Sequence, residues 1–431
     1  MKFRSTRDNT AISTFQEALF HGLAPDGGLY IPTALTPLSP ALLSTIPQST
    51  LHELGETLIH HFLPELAAAD LTAIIQTTLN FPIPLVPLAD NLYLLEVFHG
   101  PTLAFKDVGA RFMATMLNYY LSQQKRQLRI LVATSGDTGS AIAHAFHRIP
   151  DVDVYILYPS RKVTLLQEKQ MTTLGDNIHA LEVTGTFDDC QRMVKTALLD
   201  SEIQAKCAAS TANSINIARL LPQVIYHGFG LVQLLQQGIN KAPVITVPSG
   251  NFGNLTAAVY AAKIGLTIQH FIAATNSNAI VPHYLETGIF QPEPSRQTYS
   301  NAMDVGNPSN FERLLAAYDS DYLQIQSAIT GIVISDADTV NEIRETYDST
   351  GYILDPHTAV GVASAKRSGY LKTGPVIVTA TAHPAKFPDV IQRALQQDIP
   401  VPDRLRVALD KPKQATLISA DYEAFKKHLL R

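Results

Sequence analysis

Cysteine is scarce in this 431-residue chain, which holds only Cys190 and Cys207, and charged residues make up 16% against 46% hydrophobic ones. Two thiols in so long a chain give no disulfide framework, so both are expected to be reduced, and neither supports a redox or zinc reading. No run approaches the ~18 uninterrupted apolar residues of a membrane span. The opening MKFRSTRDNT is polar and charged with no apolar segment behind it, so nothing there resembles a secretory signal, and a cytoplasmic protein without membrane contact is expected. The net charge of −5 comes from interspersed acids and bases, which build no basic face for nucleic acid. The fourteen histidines are scattered, with no HExxH and no His/Cys spacing suited to a metal, so no metal site is expected.

What the chain does have is alternation. Residues 1–90 are punctuated by prolines at 32, 37, 40, 47, 64, 82, 84 and 87, with one clear helical stretch at 51–61, and read as an N-terminal subdomain. From about 129 the pattern changes to short apolar runs, RILVAT, VDVYILY and HALEVT, each followed by a helical segment. After a long helical stretch at about 213–237 a second series begins with PVITVPS and HFIAAT and closes with GIVIS and PVIVTATAH. The expected fold is α/β: two open, twisted, mainly parallel sheets flanked by helices, with ligands at the carboxyl ends of the strands. The expected division is 1–90, then 91–225 as a smaller α/β domain with Lys106 and the TSGDTG loop, then 226–431 as a second α/β domain with the C-terminal segment. The stretch 283–310, rich in Pro, Asn, Ser and Gly, reads as a mobile loop or insertion.

Three segments carry chemistry. Ser249, Gly250, Asn251, Phe252, Gly253 and Asn254 lie directly after the apolar VITVP and directly before LTAAVYAAKIG. A glycine-rich turn between strand and helix lets backbone amides converge on an anion at the positive end of the helix dipole, so this loop suits a phosphate. A tight turn with Ser or Asn capping the helix would leave the same residues. Neither a Walker lysine nor the dinucleotide GxGxxG spacing is present. Ser135, Gly136, Asp137 and Thr138 occupy a second junction of this kind, suited to a carboxylate or phosphate, or again to helix capping alone. Lys106 sits in His99-Gly100-Pro101-Thr102-Leu103-Ala104-Phe105-Lys106-Asp107, flanked by apolar residues where a helix is expected to begin. Burial and a helix N-terminus both disfavour an ammonium, which is how a lysine becomes a Schiff-base nucleophile, although a snorkelling surface lysine fits the segment too.

Together these segments resemble the fold-type II pyridoxal-phosphate (PLP) enzymes and, within them, the threonine synthase family. The likeness runs nearly end to end: RSTRDN, LAPDGGLYIP, HGPTLAFKD, ATSGDTGSA, TANSINIAR, VPSGNFGNLTA and TATAHPAKFP occur in that order. The first two separate threonine synthases from the dehydratases and cysteine synthases of the same fold. The resemblance implies that Lys106 carries PLP as a Schiff base. It gives Gly250, Asn251, Phe252, Gly253 and Asn254 the cofactor's phosphate, and it sets Thr381 opposite the pyridine nitrogen. Ser135, Thr138, Asn213 and Arg219 match positions that receive the substrate's carboxylate and phosphate, a guanidinium being suited to two parallel bonds with phosphate. Asp137 stands beside the cofactor's phenolic oxygen, where many relatives have Asn.

The implied reaction takes O-phospho-L-homoserine and water to L-threonine and inorganic phosphate by β,γ-elimination and replacement, the last step of threonine biosynthesis. Lys106 is the base within covalent reach. Two other readings share these residues: a phospho-lyase that stops after elimination and releases 2-oxobutyrate, and a non-catalytic PLP or phosphate sensor. A small-molecule substrate is the expected partner, and a monomer is expected over a homodimer.

Overall fold

The computed structural model describes residues 1–124 and 126–430. The chain packs into two compact units, each threaded from separate pieces: Met1 with Pro32–Phe105 and Leu220–Pro400, and Lys2–Ile31 with Lys106–Arg219 and the residues from Val401 onward. The division at 1–90, 91–225 and 226–431 is linear, whereas the compact units take their segments from along the whole chain. Parallel pairing is the cause, because parallel neighbours cannot be joined by a tight turn and need a long crossover, about a dozen residues or more, which lets strands far apart in sequence lie side by side.

The first unit is built on a six-stranded sheet in the order Ile329–Val333, His270–Thr275, Val244–Pro248, Val376–Ala380, Leu92–Glu96, Leu85–Ala89. Its pairs are parallel except for the hairpin of the last two strands. Every residue of Val244–Pro248, His270–Thr275 and Val376–Ala380 is buried, which explains why these strands read as continuous apolar runs and not as alternating patterns. Ala359, Val362 and Ala365 of helix Pro356–Ser368, and Ile343 of helix Asp336–Thr350, pack with Val376, Val378 and Ala380 of the sheet. From Val244–Pro248 the chain moves outward through the next two strands and then returns to Val376–Ala380 on the other side. That reversal opens a crevice at the carboxyl ends of these two adjacent strands.

The second unit carries a five-stranded, all-parallel sheet in the order Thr416–Ser419, Ile178–Thr184, Val152–Pro159, Leu128–Ala133, Ala209–Thr211. Its reversal lies between Leu128–Ala133 and Ala209–Thr211. Leu131, Leu157, Leu181 and Val183 pack with Met193, Val194 and Ala197 of helix Phe187–Leu199 and with Phe425 and Leu429 near the C-terminus. Side chains of this size contribute about 1.5–3 kcal/mol each on burial, enough to dock a helix whose opposite face is charged.

The RSTRDN and APDGG motifs are one structural object within this unit. Ser5 Oγ donates to Asp26 Oδ1 at 2.8 Å, the Gly28 amide donates to the same oxygen at 2.9 Å, and a Cβ at Gly28 would fall 2.2 Å from Ser5 Oγ. A side chain at 28 would therefore have to displace Ser5 Oγ from Asp26.

Four strands of these two sheets escape a reading by pattern, Leu85–Ala89, Leu92–Glu96, Ala209–Thr211 and Thr416–Ser419, as do the short strands Phe3–Ser5, Ile12–Ser13 and Tyr30–Pro32. The stretch expected as one helix at 213–237 is two, Ile217–Leu220 and Gln223–Gln236, with Pro222 just ahead of the second. Within 283–310, residues from Thr298 onward are tied down, Asp304 Oδ1 accepting from Thr298 Oγ1 at 2.7 Å and from Asn276 Nδ2 at 3.0 Å. Cys190 is buried, Cys207 half-buried, and both are free thiols. Among the described residues no helix is long and apolar enough to cross a membrane.

Candidate active site

In the first unit, strand Val244–Pro248 ends at Ser249, whose amide still donates to Ala274 at 2.8 Å. Gly250 follows against backbone: an added Cβ would lie 2.6 Å from the Ala302 carbonyl oxygen and 2.7 Å from Met303 Cα. Asn251 Oδ1 accepts the Ser309 amide at 2.6 Å. Phe252 then turns left-handed, with φ of 61°, and helix Gly253–Lys263 begins. Amides of that first turn are oriented for an anion.

Asn254, 6% exposed, sits in this turn. Its Oδ1 accepts Tyr226 Oη and His227 Nε2, both at 2.8 Å, which fixes the amide plane. Its Nδ2 is buried with no hydrogen-bond partner among the described residues. Burial of the His227 ring depresses its pKa to about 4 against the opposing hydrogen bonds to Asn254, so the imidazole is neutral near pH 7.

The neighbouring strand Val376–Ala380 delivers Thr381, 5% exposed, to the same crevice. Its amide donates to Thr358 Oγ1 at 3.1 Å, its carbonyl accepts the Phe105 amide at 2.8 Å, and its Oγ1 is buried with no partner among the described residues. Ala104 and Ala382 form an antiparallel bridge, His383 donates its amide to the Leu103 carbonyl, and Lys386 Nζ donates to the Thr102 carbonyl at 2.9 Å. Thr102–Phe105 is therefore zipped along the Thr381 segment. Leu103 has a left-handed φ of 55°, a strained state for a bulky residue that these ties hold in place. Lys106 is the next residue in the chain after Phe105.

A buried donor or hydroxyl left unmade costs about 1–3 kcal/mol, and of the several such groups in this unit Asn254 Nδ2 and Thr381 Oγ1 lie past the carboxyl ends of two adjacent parallel strands, where an α/β sheet seats a polar ligand. Asn254 Nδ2 and the helix amides suit a phosphate. The Thr381 hydroxyl suits a ring nitrogen. PLP has both groups, and the residues present fit it.

In the second unit, Lys106 is half-buried and opens helix Lys106–Leu121. Asp107 beside it is 1% exposed. At Gly109 an added Cβ would sit 2.6 Å from the Arg219 carbonyl oxygen and 3.1 Å from Arg219 Nε, so glycine lets the helix backbone lie on Arg219. Arg219 is 3% exposed, and its Nη1 donates to the Ala212 carbonyl. Burial lowers its pKa to about 10 against the attraction of Asp107, and it keeps its charge at neutral pH.

At the reversal of this sheet, Thr134 Oγ1 accepts the Gly136 and Gly139 amides at 2.9 and 2.8 Å, taking two of the donors of the TSGDTG turn. Ser135 and Thr138 stay half-buried, while Asp137 is 4% exposed and accepts Gln167 Nε2 at 3.0 Å. Asn213 clamps the two strand ends together: its Nδ2 donates to the Ala133 carbonyl at 2.6 Å and its Oδ1 accepts the Ala133 amide at 3.1 Å. Gly250, Asn251, Phe252, Gly253, Asn254 and Thr381 thus come together in one unit, and Ser135, Asp137, Thr138 and Asn213 at one reversal in the other, with Arg219 against the Lys106 helix.

Sequence reasoning missed Tyr226, His227, Thr358 and Gln167. Gln167 was findable, since Thr164 and Gln167 form a capping box. Tyr226 and His227 read as ordinary core of a helix.

Comparison with known proteins agrees with this geometry. A family model described as pyridoxal-phosphate dependent enzyme matches residues 74–382, one for the threonine synthase N terminus matches 2–79, and one for the threonine synthase C-terminal region matches 358–429. Threonine synthase of Serratia marcescens is 38% identical over 432 residues, covering 100% of this chain and 99% of the relative. The crystal structure of threonine synthase from Escherichia coli superposes with a TM-score of 0.94 at 36% identity, over 100% of this chain and 99% of that one. A PLP-bound threonine synthase from Brucella melitensis gives 0.92 at 34% identity, with 100% and 99% covered. With every signature segment in place and the likeness spanning the whole length, the chain belongs to the threonine synthase family of PLP-dependent lyases.

Proposed function

We propose that this chain converts O-phospho-L-homoserine and water to L-threonine and inorganic phosphate. The observation that carries the reading is the pair of buried groups with no partner among the described residues, Asn254 Nδ2 and Thr381 Oγ1, just past the carboxyl ends of adjacent strands. Gly250, Asn251, Phe252, Gly253 and Asn254 hold the PLP phosphate, and Thr381 faces the pyridine nitrogen. Bound PLP supplies an electron sink that makes the substrate's Cα and Cβ protons labile.

Lys106 holds the cofactor covalently and, as a free amine, moves the protons at Cα and Cβ. Arg219 grips the substrate's phosphate while that group leaves from Cγ, its buried charge needing no reorganisation. Ser135 and Thr138 offer hydroxyls to the substrate carboxylate. Asn213 completes this pocket and holds its two strand ends in register. Asp137, oriented by Gln167, is the residue that would meet the cofactor's phenolic oxygen. A monomer in the cytoplasm, acting on a small molecule, completes the reading.

The test is an absorbance spectrum of purified protein followed by an assay of products from O-phosphohomoserine. Equal release of threonine and phosphate supports the proposal. Release of 2-oxobutyrate makes the chain a phospho-lyase, and cofactor binding without turnover makes it a sensor.

A further inference from the structure

Asp355 caps helix Pro356–Ser368, and at 1% exposure its carboxylate is used by both following residues. Its Oδ1 accepts the His357 amide and His357 Nδ1, both at 2.9 Å. Its Oδ2 accepts the Thr358 amide at 3.3 Å and, closer still, Thr358 Oγ1. Each partner then reaches a different part of the crevice. Thr358 Oγ1 gives its proton to Asp355 and accepts the Thr381 amide at 3.1 Å. His357 Nε2 accepts the Ala302 amide at 3.1 Å, so the proton of this ring is on Nδ1, facing Asp355. Ala302 and Met303 are the backbone against which Gly250 is pressed, at distances that admit no Cβ.

We propose that Asp355, through His357 and Thr358, is a positioning device that sets both ends of the cofactor seat independently: the His357 arm fixes the wall behind Gly250 and with it the phosphate loop, and the Thr358 arm fixes the Thr381 backbone and with it the hydroxyl for the ring nitrogen. None of the three residues offers a free polar atom to the crevice. Each acts through another residue. Their arrangement follows from the fold: the helix that the Asp-Pro pair starts lies beneath Val244–Pro248 and Val376–Ala380, with Gly361 against Pro248 and Val378. The first turn of this helix is thereby brought to the carboxyl ends of both strands. The inference rests on the assignment of Gly250–Asn254 to the phosphate and Thr381 to the ring.

The two arms are separable by substitution. His357→Asn keeps a donor to Asp355 but has no atom where Nε2 stood, whereas His357→Gln restores an acceptor near that position. Thr358→Val removes the hydroxyl at constant shape, and Thr358→Ser returns it. The experiment measures, on full-length protein, the PLP dissociation constant of the apo form, the 31P resonance of bound cofactor, and the pH dependence of its visible band.

Loss of one buried hydrogen bond to a loop weakens PLP by about tenfold. His357→Asn is expected to do so and to shift the 31P signal, with the visible titration unchanged and His357→Gln recovering most of the affinity. Thr358→Val is expected to move the visible titration and leave the 31P signal in place, with Thr358→Ser close to wild type. The proposal is overturned if His357→Asn and Thr358→Val each change both signals together, or if both substitutions leave the signals unaltered. Thr381→Val and Asn254→Ala, measured alongside, separate the two levels: if Thr381→Val leaves the visible titration untouched and Asn254→Ala leaves the 31P signal untouched, the assignment of the seat fails. If those controls behave and the substitutions at His357 and Thr358 do not, the positioning inference alone fails.

Discussion

Asn254 Oδ1 accepts the Nε2 proton of His227 at 2.8 Å, while the other ring nitrogen of His227 is buried with no partner among the described residues. A second proton on that ring would place a charge in a dry interior, and this is why its pKa falls to about 4. A histidine depressed in the folded state contributes stability that is present above its unfolded pKa and lost as pH falls through the folded one. The window therefore runs from about 6.5 down to about 4, and its full extent is about 3 kcal/mol. Urea unfolding at pH 7.5, 5.5 and 4.5 should show wild type losing stability through this range, with His227→Gln, lower at the start, losing less. Parallel profiles for the two proteins would show that His227 is not the group responsible.

Arg219→Lys is expected to lower kcat/KM for O-phosphohomoserine by roughly 10- to 100-fold, because an ammonium cannot keep the bond to Ala212 and also present two parallel donors to a phosphate. The visible spectrum of the cofactor should be unchanged. Steady-state kinetics alongside a cofactor spectrum check both halves, and an unaltered kcat/KM removes Arg219 from the substrate pocket.

The fold and the seat were legible in unequal degree. Runs such as VITVP and VDVYILY are strands buried on both faces, and burial of that kind writes itself as uninterrupted apolar sequence. Ala209–Thr211 is three residues long, and Thr416–Ser419 is mostly exposed, so neither leaves such a trace. Glycine at 250 and 136 could be read as a turn. Left-handed Leu103 and Phe252 could not, because nothing in a leucine or phenylalanine announces a conformation imposed by tertiary ties. Orientation was hidden for a similar reason: that Asn254 is held by a tyrosine and a histidine of another helix depends on a contact across 27 or 28 positions. Asp355 was not legible at all, since its links through Thr358 to Thr381 and through His357 to Ala302 exist only once the strands are side by side.

Lys106→Ala should abolish borohydride-fixed cofactor on the peptide containing 99–107 while PLP still binds reversibly, because the phosphate and ring contacts belong to other residues. Mass spectrometry of the reduced, digested protein reads this directly. Cofactor fixed to the same peptide in the variant would mean that another group there forms the link.

Gly250→Ala addresses the seat without touching any side chain of it. The new Cβ would fall 2.6 Å from the Ala302 carbonyl oxygen and 2.7 Å from Met303 Cα, and both are backbone atoms that cannot rotate away. Either the 300–304 segment or the phosphate loop has to move. The strain of such overpacking is about 1–3 kcal/mol, and its release by displacing the loop takes the helix amides away from the phosphate. The apo protein should keep its fold, since strand Val244–Pro248 and the helix from Gly253 are buried by other contacts. Apo circular dichroism close to wild type, together with PLP affinity about tenfold weaker or more, is the expected result. Were the variant to bind PLP as tightly as wild type, the loop at 249–254 would be a strand-to-helix turn and the phosphate would be held elsewhere.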